Sequence, residues 1–165
     1  VDVEDASLVD AAEIGDRPQS AELLGYLDLR AEPCVLVAER HALLLEMAHP
    51  GTCAMIVAAG ANLYPDCGEG FEEFKSWILE QGTPLALMML DEPHINPADL
   101  RTIPCPALVT VGGEDLISVE HTRLISDNIP HAELEVFEGA SHSSYIKRSP
   151  KMGRRLLQFF DKYGY

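Results

Sequence analysis

Residues 106–142, PALVTVGGEDLISVEHTRLISDNIPHAELEVFEGASH, restrict the fold more than any other stretch of this chain. Ala107–Val111 is a short apolar, partly β-branched run bounded by Pro106 and by Gly112-Gly113, which is how a strand covered on both faces reads. Asp115 falls just past its carboxyl end. Ser118 can cap a helix running to about Ile129, with Leu124, Ile125 and Ile129 facing inward. In Glu133–Phe137, Leu134 and Val136 alternate with Glu133 and Glu135, and the chain then turns through Gly139-Ala140-Ser141 into His142. A strand–helix–strand unit of this length is a right-handed crossover between parallel strands, so both strands end on one edge of the sheet. That edge would carry Asp115 and His142 side by side.

Open α/β sheets collect their ligands and catalytic groups at the carboxyl ends of strands. An acid beside a histidine there can hold the imidazole in one tautomer, so that the other ring nitrogen acts as a base. The alternative is structural, with Asp115 turning the chain and His142 an ordinary loop residue.

The motif PALVTVGGED followed by LIS, and then IPHAELEVFEGASH, resembles the C-terminal end of an α/β-hydrolase-fold protein. The likeness extends through IVAAGANLYP (56–65) and MMLDEPHINPADLRTIPCP (88–106) to a terminal helix, covering roughly residues 20–165. It implies an α/β fold with a predominantly parallel sheet and flanking helices, like the C-terminal half of that fold. It also implies that Asp115 is the triad acid and His142 the base, and that the family activity is hydrolysis of carboxylic esters by a serine nucleophile. Ser141 stands where the family usually has glycine before the histidine.

The nucleophile is where the chain departs from that family. Cys34–Ala38 reads as a short strand, and by resemblance it is the one leading into the nucleophile. The family places its serine in a G-x-S-x-G elbow, because a sharp strand-to-helix turn needs small residues. This chain has Ala38-Glu39-Arg40-His41-Ala42, with Arg40 at the nucleophile position and neither glycine present. Arginine stays protonated and cannot serve as a nucleophile. Counting on to His49-Pro50, the following helix is about one turn short of the family pattern. His41 reads as a first-turn helix residue, Ser143 and Ser144 adjoin the base at an unsuitable position, and nothing in sequence activates Cys67. The nucleophile is therefore unassigned.

The remaining elements follow from periodicity. Strands are expected near 34–38, 53–60, 106–112 and 133–138, in sequential order. Helices are expected near 20–29, over 42–48 and near 150–163, the last capped by Ser149 with Pro150 in its first turn. Phe71, Phe74, Trp77 and Ile78 share one helical face, which would either pack on the sheet or, with Leu85–Leu90, form a small lid over residues 66–92 that lines a pocket. In the terminal helix Met152, Leu156, Phe159, Phe160 and Tyr163 form the apolar stripe, and Lys151, Arg154 and Arg155 read as a solvated face.

Composition excludes other classes. With 165 residues and 47% hydrophobic content, 20–165 can form one domain with a real core. A net charge of −15 argues against nucleic-acid and anionic-membrane partners, and no apolar run approaches a membrane span. Residues 1–19 read as an acidic, poorly ordered arm; residues 1–16 hold six acids and no base. That start, without an initiator methionine, fits a solvated arm, a processed end or the cut edge of something longer. Cys34, Cys53 and Cys105 fall at or just before strand amino ends, and without C-x-x-C spacing they read as reduced thiols of a cytoplasmic protein. No metal and no cofactor are expected.

Three functions are consistent with these features. The chain is a truncated or degenerate hydrolase, inactive alone; or a binding or scaffold module that keeps the lid pocket and uses Asp115 and His142 for hydrogen bonds to a ligand, such as a small apolar ester-like one; or an enzyme whose nucleophile and oxyanion hole come from another chain. The strand at 34–38, left as a sheet edge, would invite self-association or a partner strand.

Overall fold

The computed structural model describes residues 34–38, 40–68, 70–147 and 149–165. The acidic arm and the helix expected near 20–29 lie outside the described residues. Four strands form one parallel sheet in sequential order: β1 (Cys34–Ala38), β2 (Cys53–Ala59), β3 (Ala107–Gly112) and β4 (Ala132–Phe137). In register, Ile56 lies opposite Ala107, and Ala107 lies opposite Ala132. All four strands end on one edge, because every pairing is parallel.

Alternation along β2 and β3 divides the core between two faces. Ile56, Ala58, Ala107 and Val109 pack with Ala42 and Leu43 of helix α1 (Arg40–Ala48), with Leu100 and Ile103, and with Ile125 and Ile129. Leu100 belongs to a 3-10 turn, Pro97–Thr102. Ile125 belongs to helix α4 (Val119–Asn128), whose N-cap Ser118 accepts a hydrogen bond from the His121 N–H at 3.0 Å. Met55, Val57, Ala59 and Leu108 point the other way and pack on Phe137, Tyr145, Met152 and Phe159. Burying each Val, Leu, Ile, Met or Phe among them contributes about 1.5–3 kcal/mol, and each alanine less. Both faces of β2 and β3 are therefore covered, which is why their sequences read as nearly unbroken apolar runs.

Between β2 and β3 the chain forms helices α2 (Phe71–Gln81) and α3 (Pro84–Asp91). Gly82, left-handed at φ 60°, ends α2, and the Thr83 side chain caps α3 by accepting from the Ala86 N–H. The terminal helix α5 (Pro150–Lys162) is capped by Ser149 as expected. One expectation for this helix is corrected: Arg155 is not solvated. Its side chain is 16% exposed and donates to Glu133 and Glu135, so the acidic face of β4 is covered by α5 instead of facing water. Lys162 adds a second bond to Glu133, and the two cations hold the Glu133 carboxyl below its ordinary range against the opposing effect of burial.

Glu46 anchors the end of α1. It is fully buried, and its two carboxylate oxygens accept the Gly51 N–H and, at 2.9 Å, the Cys53 N–H. One side chain thus ties the helix to the first residue of β2, through a turn that Gly51 completes at φ 84°. Replacing Glu46 with alanine orphans two backbone donors, at about 1–3 kcal/mol each. Glu46→Ala is expected to lower the unfolding free energy by about 2–4 kcal/mol and Glu46→Gln by less, read from urea midpoints at unchanged slope.

Candidate active site

The loops after β3 and β4 are joined before their side chains meet. The Gly113 N–H donates to the Phe137 carbonyl and the Glu114 N–H to the Ala140 carbonyl, both at 2.9 Å. A Cβ on Gly112 would lie 2.1 Å from the Ala140 oxygen, so only glycine allows this approach. Asp115 and His142 are consequently brought together: His142 Nδ1 lies 2.9 Å from Asp115 Oδ1. The Asp115 carboxylate also accepts the Ile117 N–H at 3.1 Å and the Gly112 N–H at 3.3 Å, and its side chain is fully buried. An ionised carboxylate can only accept, so Nδ1 carries the imidazole proton and Nε2 keeps the basic lone pair. The imidazole is 32% exposed.

The loop leaving β2 supports this pair from the other side. The Gly60 N–H donates to the Thr110 carbonyl at 2.9 Å, and the Tyr145 hydroxyl donates to the same oxygen at 3.2 Å. Gly60 has φ 61°, and a Cβ there would stand 2.6 Å from His142 Cε1. Gly60→Ala therefore meets the imidazole as well as the left-handed backbone penalty of about 1–2 kcal/mol. The substitution is expected to lower the urea midpoint and to displace the His142 ring resonances, measured by NMR.

Further along, the Ser118 N–H donates to the Cys67 carbonyl, and the Leu63 N–H donates to His121 Nε2 at 2.9 Å. His121 is buried and edge-on to the Tyr64 ring, and burial lowers its pKa. Its bond to Leu63 requires the neutral ring. The unfolded chain takes up this proton near pH 6.5, whereas the folded chain does so only at lower pH. The contribution is whole above about pH 6.5 and shrinks as the pH falls toward the folded value. Urea unfolding at pH 7.5 and pH 5 is expected to show a smaller acid loss in His121→Gln than in the unsubstituted chain.

A cavity of about 250 Å³ opens beside the pair, lined by His142, Arg40, Cys67, Phe71, Phe74 and Trp77 among others. Phe74 and Trp77 stack at 6.0 Å between ring centroids. The apolar face of α2 thus does both things its periodicity allowed: these aromatics line the cavity, and Ile78 is fully buried. Arg40 is the first residue of α1 and half-buried at the cavity, while His41 beside it is exposed. Cys67 is a poor nucleophile, because burial and then the Asp66 and Asp115 carboxylates push its thiol to about 11. Ser144 is occupied by its own turn, accepting the Ser141 N–H at 2.9 Å. Among the described residues no cluster of His, Cys, Asp or Glu could hold a metal ion, and no helix is long and apolar enough to cross a membrane.

His121, Glu46 and Tyr145 were not foreseen as supports of this site. Only a fold can show that a histidine in α4 caps a loop donor 58 residues away.

Solved structures share this architecture. A protein from Mycobacterium tuberculosis H37Rv, described as a candidate non-heme bromoperoxidase, matches with TM-score 0.70 at 15% identity, over 88% of this chain and 72% of that one. A meta-cleavage product hydrolase from Pseudomonas fluorescens IP01 matches with TM-score 0.65 at 17% identity, over 89% and 75%. An α/β-hydrolase enzyme from the metagenome of lagoon sediments at Mar Chica, Morocco, matches with TM-score 0.64 at 16% identity, over 88% and 66%. No protein-family model matches the sequence, and no curated protein matches it. The chain has the α/β-hydrolase fold.

Proposed function

We propose that this chain is a hydrolase of carboxylic-ester type by descent, keeping the acid and base of the triad but lacking a nucleophile, and that it does not hydrolyse esters by itself. The observation that carries this reading is the position of Arg40. It begins the helix that follows β1 and lines the same cavity as His142, where the reaction would need an activated hydroxyl. The His142–Asp115 pair has the arrangement of a base and its orienting acid, with Nε2 as the nitrogen for proton transfer. With an arginine at residue 40 in place of a hydroxyl, the pair has no nucleophile at that position from which to form an acyl-enzyme.

A fluorophosphonate probe is expected to leave the purified chain unlabelled. Hydrolysis of p-nitrophenyl acetate should show no burst, and a rate at most about 10⁴-fold above water, as for a triad lacking one member. Arg40→Ser alone should not restore labelling, because neither glycine of the elbow is present. Stoichiometric labelling of any serine, or a burst lost in His142→Ala, would overturn the proposal.

A second reading keeps an enzyme whose nucleophile arrives on another chain. It draws on β1 standing at the margin of the described sheet, where a strand could add. It requires fluorophosphonate labelling to appear only with a partner chain bound.

A further inference from the structure

Among the described residues, the cavity combines one permanent cation, Arg40, with an aromatic wall. Arg40 cannot lose its charge, it is half-buried, and among the described residues no carboxylate pairs with it. Phe71, Phe74 and Trp77 line the same space. A guanidinium beside apolar surface has lost part of its water and favours an anion that restores its hydrogen bonds, best a planar one that accepts from two N–H groups at once. The surrounding charges limit that anion to a single negative charge. Glu92 also lines the cavity and is exposed, and Asp115 stands behind His142, so a dianion would meet two carboxylates against one fixed cation. The chain's net charge of −15 repels anions at long range, but at physiological salt charges beyond about 8 Å are largely screened, and Arg40 decides locally.

We infer that the cavity is a binding site for a small apolar monocarboxylate, with Arg40 holding the head group and Phe71, Phe74 and Trp77 holding the tail. The inference rests on the reading that Arg40 has replaced a nucleophile. A site that cleaved esters would release such an acid; this one would retain it. The volume of about 250 Å³ accommodates roughly eight water-sized groups, the size of a six-carbon acid.

Trp77 is the only tryptophan in the chain, so its fluorescence reports on the cavity directly. Hexanoate and its neutral analogue hexanamide are titrated at fixed ionic strength. Hexanoate is expected to bind at least about tenfold more tightly, the difference one charge-assisted hydrogen bond makes. Arg40→Gln should erase that preference and leave hexanamide within about twofold, and Arg40→Lys, which keeps the charge and loses the fork, should fall between. Phe74→Ala should weaken both ligands alike. Equal binding of the two ligands, no saturable response to hexanoate, or a preference that survives Arg40→Gln would each overturn the inference. Should Arg40→Gln fail to fold by circular dichroism, the preference in the unsubstituted chain and the Phe74→Ala result still decide. Fluorophosphonate labelling separates the two proposals: a labelled chain refutes the inactive reading, whereas an unlabelled chain that ignores hexanoate refutes only this one.

Discussion

The Asp115 carboxylate is the interaction on which the site depends. With its side chain fully buried, it accepts two backbone N–H groups from its own turn and the imidazole N–H of a residue 27 positions away. The same oxygens thus fold the loop after β3 and orient the base. A buried carboxylate is tolerable only when its lone pairs are filled, and here three donors fill them. The pair therefore has a structural reason to persist whether or not chemistry is performed.

On the proposed reading, residue 40 supplies that geometry with no hydroxyl. The parallel topology sets Asp115 and His142 on one sheet edge without reference to residue 40, because they follow β3 and β4 whereas residue 40 begins α1. A change at residue 40 can abolish the chemistry while leaving the pair intact. The cavity survives as well, since α2 supplies its aromatic wall and the loop at 60–68 its floor. On the inference drawn above, Arg40 then suits the cavity to an anion.

Polar groups inside the fold fix these parts in place. Glu46 ties α1 to β2, His121 receives a donor from the loop after β2, and Arg155 spans the two acids of β4. Each looked unremarkable in sequence, because a charged or polar residue in a helix is usually solvated. Their partners are backbone donors or acids brought near by packing, and no local pattern reveals them.

The sequence by itself determined the four strands, their order, and helices α1, α2, α4 and α5, but not the 3-10 turn or α3 as a helix. Apolar runs, Ser118 and Ser149 at helix starts and the length of each crossover are local signals with one parallel solution. It also determined that Arg40 cannot be a nucleophile, since that follows from the side chain's chemistry. Only the tertiary structure decided that Arg40 faces the same cavity as His142, that Phe71, Phe74 and Trp77 line it while Ile78 enters the core, and that Arg155 pairs with Glu133 and Glu135 of β4. These are contacts between distant segments, and periodicity says which residues share a face without saying what that face meets.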